Sequence, residues 1–282
     1  MAKTGLVLEG GGLRGVFSGG VIDCFLDHDI SFDYVIGVSA GSCCTFSYVA
    51  KARGYIRSSM IQPNPFESYI GIPQMLKSHR FVDLHKIFYD YTEKYGFDFQ
   101  YFVDRPIEWE MVVSNIDTGK PEYMHTTDIE KARRIGIASC SLPGIMPPVE
   151  IDGRYYLDGG VCDVVPSQRA LEQGCDRLCI VLTRKKGNFS HYSEAAMKLY
   201  KQIYGDKPEF YKAMCARNDL YKSDVEFAEQ LESEGTAMII RPTYKEVNHL
   251  ETNEEELSLF YYHGYTKAEE YIDELLGWQD GK

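Results

Sequence analysis

The apolar residues at the start of the chain follow two alternating periods. A short run at 4–8, TGLVL, is typical of a buried strand and ends in a cluster of glycines. Apolar side chains then recur at helical spacing between Val16 and His28. The pattern repeats, because the run at 33–38, DYVIGV, favours a second strand and the small residues at 39–52 favour a buried helix. Two such units in succession predict an α/β fold with a parallel sheet covered by helices.

The rest of the chain carries three further strand patterns and two long helical ones. Strand character returns at 108–115, 177–183 and 236–241, and helical periodicity covers 194–234 and 253–276. Residues 54–106 contain scattered prolines, many aromatic residues and no clean period, which predicts a cap of irregular helices and loops. Since no internal repeat or flexible linker interrupts the sequence, we expect a single domain over 1–282, with a mostly helical part at about 190–282.

The charge of the chain narrows the possible partners. Its 282 residues carry 30 basic and 42 acidic side chains, a formal net charge of −12. A repulsive field of this sign argues against a nucleic-acid partner. The last part of the chain, 201–282, holds 9 of the basic and 18 of the acidic side chains, so most of the excess lies there. The remaining part is nearly balanced, which leaves room for brief contact with a lipid surface.

The cysteines and the chain start favour a reducing compartment. The eight cysteines include no CxxC pair and no Cys/His cluster at zinc spacing, which indicates buried, reduced thiols and no metal or other cofactor. The start, MAKTGLVLEGGG, lacks the apolar segment of a secretory signal, and no stretch approaches the ~18 apolar residues of a membrane span. We therefore expect a cytoplasmic protein, at most peripheral to a membrane. No sequence feature indicates a particular oligomeric state.

The pentapeptide GVSAG is the strongest candidate for chemistry. It places Ser39 between a predicted strand and a predicted helix, flanked by Gly37, Ala40 and Gly41. This context is the one a nucleophile elbow requires, since the serine sits on a strained turn and the glycines let neighbouring chains pass closely. A tight turn with Ser39 as a helix N-cap is the structural alternative.

The second candidate is the string EGGGLRG at 9–15. Its glycines leave backbone N–H groups free to converge on an anion, which in acyl transfer is the oxyanion; they are Gly10, Gly11 and Gly12. Gly10, Gly12 and Gly15 also fit the dinucleotide-binding motif GxGxxG. The second predicted strand, however, ends without the acidic residue that such a site needs to bind the ribose. A plain turn is the other alternative. Arg14 either anchors the loop, meets a phosphate headgroup or forms a surface ion pair.

The third candidate is Asp158, which is followed by Gly159 and Gly160. A serine hydroxyl is unreactive until a positioned base takes its proton. None of the seven histidines stands in a special turn, so the candidate bases are Asp158 and a late histidine, His249 or His263. The order serine, aspartate, histidine fits an α/β-hydrolase arrangement. Without such a role, the DGG sequence is an ordinary β-turn.

Four sequence blocks in order resemble those of the patatin-like phospholipase family: EGGGLRG, GVSAG, ASCSLPGIMPPVEIDG and DGG. The resemblance covers about residues 4–166. More loosely, the segments at 239–242 and 263–265 are similar to the tail of small bacterial members. Many members have an aspartate before the three glycines, where this chain has Glu9.

The resemblance implies a three-layer α/β/α fold and a Ser-Asp dyad without a catalytic histidine. It places the nucleophile on Ser39, the general base on Asp158 and the oxyanion hole on the backbone of residues 10–12. The expected reaction is hydrolysis of a lipid or other carboxylic ester through an acyl-enzyme, without a cofactor. The alternatives are a Ser-His-Asp esterase and a non-catalytic acyl- or lipid-binding protein.

The predicted cap is rich in side chains that suit a lipid. They line an acyl channel or touch a bilayer in one interpretation and form the core of a helical cap in the other. These residues are Tyr55, Ile56, Met60, Ile61, Phe66, Tyr69, Ile70, Ile72, Met75, Leu76 and Phe81.

Overall fold

A computed structural model describes residues 2–62, 70–78, 82–94, 97–105, 107–189 and 194–279. Its strands are β1 (Thr4–Leu8), β2 (Tyr34–Val38), β3 (Glu108–Asn115), β4 (Pro121–Met124), β5 (Val149–Ile151), β6 (Arg154–Asp158), β7 (Arg177–Val181) and β8 (Ala237–Ile240). The helices are α1 (Gly15–Asp27), α2 (Ala40–Val49), α3 (Tyr55–Met60), α4 (Ile72–Ser78), α5 (Tyr91–Lys94), α6 (Phe99–Asp104), α7 (Ile129–Ser139), α8 (Ser167–Glu172), α9 (Glu194–Ile203), α10 (Pro208–Ser233), α11 (Glu254–Glu269) and α12 (Ile272–Gln279).

Hydrogen bonds join these strands into one sheet along the path β5-β6-β3-β2-β1-β7-β8. Along this path β6 and β2 pair with successive parts of one edge of β3, and β4 pairs with its other edge. Strands β3, β2, β1, β7 and β8 are parallel to one another. Strands β4 and β6 pair antiparallel to β3, and β5 pairs antiparallel to β6. The predicted α/β fold with a mostly parallel sheet is confirmed.

Helices cover both faces of the sheet because its strands are apolar on both sides. On β1, Leu6 and Leu8 join the core formed with α1, α2, α7 and α11. The intervening Val7 joins a second core formed with α8 and α10 on the opposite face. Alternation of this kind follows from the two-residue period of a strand, and it produces three layers.

The C-terminal part contributes to the same framework. Strand β8 extends the sheet beside β7, and α11 packs against α1. The approach of these helices is close, because a Cβ on Gly264 would lie 2.0 Å from the carbonyl oxygen of Phe17. The segment predicted as one helix at 194–234 is two helices, since Pro208 begins α10 and lacks the N–H that would continue α9.

The cap residues divide between the two interpretations. Tyr55, Ile56 and Ile61 are buried in the core, whereas Met60 and Ile70 are buried where they also line a cavity described below. Met75 and Leu76 are exposed on α4. Phe66, Tyr69, Phe81 and the side chain of Ile72 lie outside the described residues.

All eight cysteines are free, and six of them are buried. None of the described helices combines the length with the apolar character that crossing a bilayer requires.

Candidate active site

Ser39 occupies a strained turn between β2 and α2. Its backbone has φ 55° and ψ −123°, a conformation that is rare for a residue with a side chain. The turn is tight because Gly41 passes against β1, where a Cβ would lie 2.1 Å from the carbonyl oxygen of Leu8. Gly37 is equally confined, because a Cβ on it would lie 2.3 Å from the carbonyl oxygen of Gly41. This backbone geometry is the one that a nucleophile elbow requires.

The main chain of Ser39 is fixed by the end of α7. The Ser39 N–H donates to Ser139 Oγ at 2.9 Å, and this hydroxyl donates in turn to the carbonyl oxygen of Val112 in β3 at 2.6 Å. On the other side of the peptide, Cys140 Sγ donates to the Ser39 carbonyl oxygen at 3.1 Å. Sequence reasoning did not assign Ser139 or Cys140, although both stand in the ASCSLPG block that signals the region.

Asp158 ends β6 and accepts a hydrogen bond from Ser39. Ser39 Oγ lies 2.6 Å from Asp158 Oδ2, and the Gly160 N–H donates to Asp158 Oδ1 at 2.8 Å. Ser39 and Asp158 are only 8% and 4% exposed. Burial raises the pKa of Asp158 to about 6, against the opposing effects of the Ser39 and Gly160 hydrogen bonds and the Arg217 charge.

The strand β3 explains why residues 119 positions apart meet. Val112 is the last β3 residue that pairs with β2, opposite Val38, and Val113 is the first that pairs with β6, opposite Asp158. Since β4 occupies the other edge of β3 over this stretch, β2 and β6 share one edge in succession. Ser39, the residue after the end of β2, therefore lies beside Asp158, the last residue of β6.

The glycine loop, residues 10–12, lines the same cavity as Ser39 and Asp158. Within the described residues, no group accepts a hydrogen bond from the N–H of Gly10, Gly11 or Gly12. Gly12 has φ +57°, and a Cβ on it would lie 2.5 Å from the carbonyl oxygen of His249. The loop therefore offers free donors at a position that only glycine fills.

Neighbouring contacts hold this loop in place. Glu9 is buried and its Oε2 accepts from the Thr183 N–H and, at 3.1 Å, from the Thr183 hydroxyl. Gly15 packs against Ala40 so closely that a Cβ there would lie 2.5 Å from the alanine Cβ. The longer side chain of Glu9 thus anchors the loop to Thr183, just after β7, and leaves the N–H groups of the glycine loop unoccupied.

Two cavities meet at Ser39. The first has a volume of about 150 Å³ and includes the glycine loop, Asp158 and three arginines in its wall. These are Arg14, Arg184 and Arg217; only Arg14 was a candidate from sequence. The second, of about 50 Å³, is lined by Met60, Ile70, Val82, Leu84 and Ile87 among others, and His249 is the one acidic or basic side chain among the described residues of its wall.

The histidine candidates occupy different places. His249 lines both cavities, and desolvation followed by the charges of Arg14, Arg184 and Arg217 lowers its pKa. His263 is 2% exposed, stacks on Tyr244 at 3.6 Å between ring centroids and contacts neither cavity. His79 and His191 lie outside the described residues. The hydroxyl of Ser39 points to the aspartate rather than to either late histidine.

Comparison with known proteins gives two matches to family profiles. Residues 6–171 match the patatin-like phospholipase profile, and residues 207–280 match a domain of unknown function, DUF6363. The solved structure of VipD from Legionella pneumophila is similar to the chain with a TM-score of 0.50 and 14% identity, over 97% of this chain and 67% of VipD. At that identity the likeness concerns the fold.

Curated relatives extend beyond the region they share with this chain. The uncharacterized protein YjjU of Escherichia coli (strain K12) is 25% identical over 195 residues, 64% of this chain and 52% of YjjU. Lysophospholipase NTE1 of Eremothecium gossypii is 32% identical over 186 residues, 63% of this chain and 12% of the fungal protein. The chain thus spans about half of the bacterial relative and about a tenth of the fungal one.

The first profile covers more than half of the chain and includes the glycine loop, Ser39 and Asp158. The chain therefore belongs to the patatin-like phospholipase family.

Proposed function

We propose that the protein is a lipid acyl hydrolase that cleaves carboxylic esters with a Ser39–Asp158 dyad. The observation that carries the proposal is the 2.6 Å hydrogen bond from Ser39 Oγ to Asp158 Oδ2, made at a cavity whose wall includes the free N–H groups of the glycine loop. A nucleophile, a base and oxyanion donors are the three groups that acyl transfer requires.

The proposed reaction has two halves. Ser39 Oγ attacks the ester carbonyl carbon while Asp158 accepts the hydroxyl proton, and the glycine-loop N–H groups bind the developing oxyanion. The alcohol leaves with the proton from Asp158, and an acyl-enzyme remains on Ser39. Water then attacks this ester, giving its proton to Asp158. Collapse of the second intermediate releases the fatty acid and restores the serine.

The second cavity is proposed to receive the acyl chain. Its wall combines aliphatic side chains of the cap with Ser39, so a chain placed there has its ester at the nucleophile. Leu76 of α4 lies in the chain between the wall residues Ile70 and Val82 and is 79% exposed. We propose that it contacts the lipid surface during substrate uptake. Equal sedimentation of wild-type and Leu76→Asp protein with liposomes would contradict this contact.

The test uses a fluorophosphonate probe and a p-nitrophenyl ester with wild-type protein and three variants. Ser39→Ala is expected to lose labelling and turnover, and Asp158→Ala to lose turnover by at least about a thousandfold. Ser18→Ala is the matched control, because Ser18 is a buried serine whose hydroxyl has no hydrogen-bond partner within the described structure. It should label like the wild type.

The two rival functions give different results in the same assay. A Ser-His-Asp esterase would lose as much activity in His249→Ala as in Ser39→Ala. A non-catalytic lipid-binding protein would show the same slow hydrolysis in wild type, Ser39→Ala and Asp158→Ala. Either result would remove the proposed dyad.

A further inference from the structure

Three arginines converge on the first cavity from distant parts of the chain. Arg14 belongs to the turn after the glycine loop, Arg184 follows β7, and Arg217 lies in α10. They are close enough to influence the same groups, since the positive charge of each contributes to lowering the pKa of His249. Such a cluster is unexpected in a chain with a net charge of −12.

Arg14 is a buried cation that lacks a dedicated partner. It is 7% exposed, its Nε has no hydrogen-bond partner, and the described residues provide no ion pair for it. Burial and the charge of Arg184 lower its pKa to about 10, against the opposing charges of Glu9 and Glu246, so the guanidinium remains charged at neutral pH. A desolvated and unpaired charge is costly, which indicates that a ligand completes the site.

The carboxylates in the cavity wall are already engaged. Glu9 accepts from Thr183 and interacts with the Tyr221 hydroxyl, and Asp158 accepts from Ser39 and the Gly160 N–H. Among the described residues of the wall, two acidic side chains stand against three arginines, so basic side chains outnumber acidic ones there.

Arg184 adds to the excess of basic side chains in the cavity wall. It is partly exposed, lines the cavity and forms no ion pair or hydrogen bond in the described part of the chain. Its charge lowers the pKa of Arg14, so the two like charges repel when nothing lies between them. An anion placed between them would attract both guanidinium groups and so offset their mutual repulsion.

The two cavities therefore differ in charge and meet at the same serine. One is apolar and suits a hydrocarbon chain, whereas the other presents guanidinium groups, which match phosphate oxygens with paired N–H donors. An ester at Ser39 with its acyl chain in the apolar cavity directs its alcohol part towards the arginines.

We propose that the arginine-lined cavity binds the phosphate of the substrate headgroup, so that the enzyme prefers acyl esters of glycerol phosphate with net negative charge over zwitterionic and uncharged esters. The inference rests on the proposed hydrolase function and adds the headgroup class. A choline ammonium would bring a fourth cation to the same wall and weaken binding.

The test compares three soluble esters with one hexanoyl chain on glycerol, glycerol phosphate or glycerophosphocholine. Each is used below the concentration at which it forms micelles, so that attraction to a charged surface does not contribute. Wild-type kcat/KM should be at least about tenfold higher for the glycerol phosphate ester, as expected for charge-assisted hydrogen bonds. Equal values for the three esters would overturn the proposal and leave the hydrolase function intact.

Substitutions at two neighbouring positions test whether the cavity is the source of the preference. Arg184→Gln should reduce the ratio of kcat/KM for the glycerol phosphate ester to that for the glycerol ester by about tenfold, and Arg184→Lys should restore part of it. Lys185→Gln is the matched control, because it removes the same charge from an exposed neighbour that does not line the cavity. Equal ratios in Arg184→Gln and Lys185→Gln would contradict the assignment.

A binding measurement separates this proposal from the catalytic one. Calorimetric titration of Ser39→Ala protein with the same esters reports headgroup preference without turnover, and the preference should fall when Arg184→Gln is added. Inorganic phosphate is the remaining probe. If it binds in this titration while the three esters bind equally, the cavity holds free phosphate rather than a headgroup, and the proposal is wrong.

Discussion

Asp158 combines two demands that oppose each other. As the proposed base it must be ionised, but burial disfavours its charge and raises its pKa to about 6. The same shift makes the carboxylate a stronger base towards a serine hydroxyl than an exposed aspartate would be. The Gly160 N–H and the Arg217 charge limit the shift, so the residue still ionises at neutral pH.

The pH dependence of turnover follows from this pKa. Because only the ionised form of Asp158 accepts a proton, kcat/KM for an uncharged ester should rise about tenfold per pH unit below pH 6 and level off above it. The profile should be measured between pH 4.5 and 8 on wild-type protein and on His249→Gln, since a histidine base would give a similar inflection. A flat profile in the wild type, or an inflection that disappears in the variant, would contradict the assignment to Asp158.

Residues of the site differ in how far the sequence reveals them. Ser39 and Asp158 stand beside glycines that their tight turns require, and those glycines leave a recognisable local pattern. Arg184 and Arg217 have no such pattern, because they meet only through the packing of β7 and α10 around the cavity. A single arginine on a helix is more often a solvated charge, so residue type alone did not identify them.

At the scale of elements, the turns around the site are defined by what passes close to them. Gly12 faces the carbonyl oxygen of His249, and the Leu13 N–H donates to that oxygen at 3.0 Å. The glycine loop and the segment at 243–253 therefore support each other. Helix α10 adds a further support, since Arg217 Nε donates to the Gly160 carbonyl oxygen at 3.0 Å.

A substitution in the glycine loop tests this dependence. Gly12→Ala should lower kcat by at least about tenfold, because the new Cβ strains a left-handed residue and displaces the His249 segment and the proposed oxyanion donors. Gly153→Ala is the matched control, with φ +77° and no atom near the added Cβ, so it should cost about 1 kcal/mol of stability and little activity. Equal kcat values for the two variants would show that the loop position does not matter.

The main strands and helices were predictable because their periods are regular. The limits of β3 agree with the predicted strand at 108–115, and β1, β2, β7 and β8 fall within one or two residues of the prediction. Strand β4 is half-buried and only four residues long, so its pattern is weak. Helix α7 was missed although Asp128 is a clear N-cap, which accepts from the Lys131 N–H.

At the scale of the whole molecule, the region matched by the DUF6363 profile is built into the sheet and its core. Strand β8 pairs with β7, α11 packs on α1, and α10 carries Arg217 to the site. A Cβ on Gly20 of α1 would lie 2.0 Å from the carbonyl oxygen of Tyr261 in α11, which shows how little space separates the two helices. These contacts support our proposal that 1–282 folds as a single domain.

Truncation after residue 206 tests that proposal. The shortened chain would expose the apolar face of α1 and an unpaired edge of β7, so it should aggregate or lack a cooperative unfolding transition. The full chain should unfold in urea in one transition, with fluorescence and circular dichroism coinciding. A soluble 1–206 fragment with its own cooperative transition would instead indicate two domains.

Because Ser39 and Asp158 are positioned by one edge of β3, their spacing depends on different elements from those that form much of the cavity wall. One strand fixes the spacing of Ser39 and Asp158, whereas the cap and the segment at 243–253 supply much of the wall around the substrate. Substitutions on the cap side of that wall are therefore expected to change which ester fits without moving the proposed Ser39–Asp158 pair. For protein engineering, libraries restricted to the cap residues Met60, Ile70, Val82, Leu84 and Ile87 are therefore expected to retain the proposed chemistry while exploring new acyl groups.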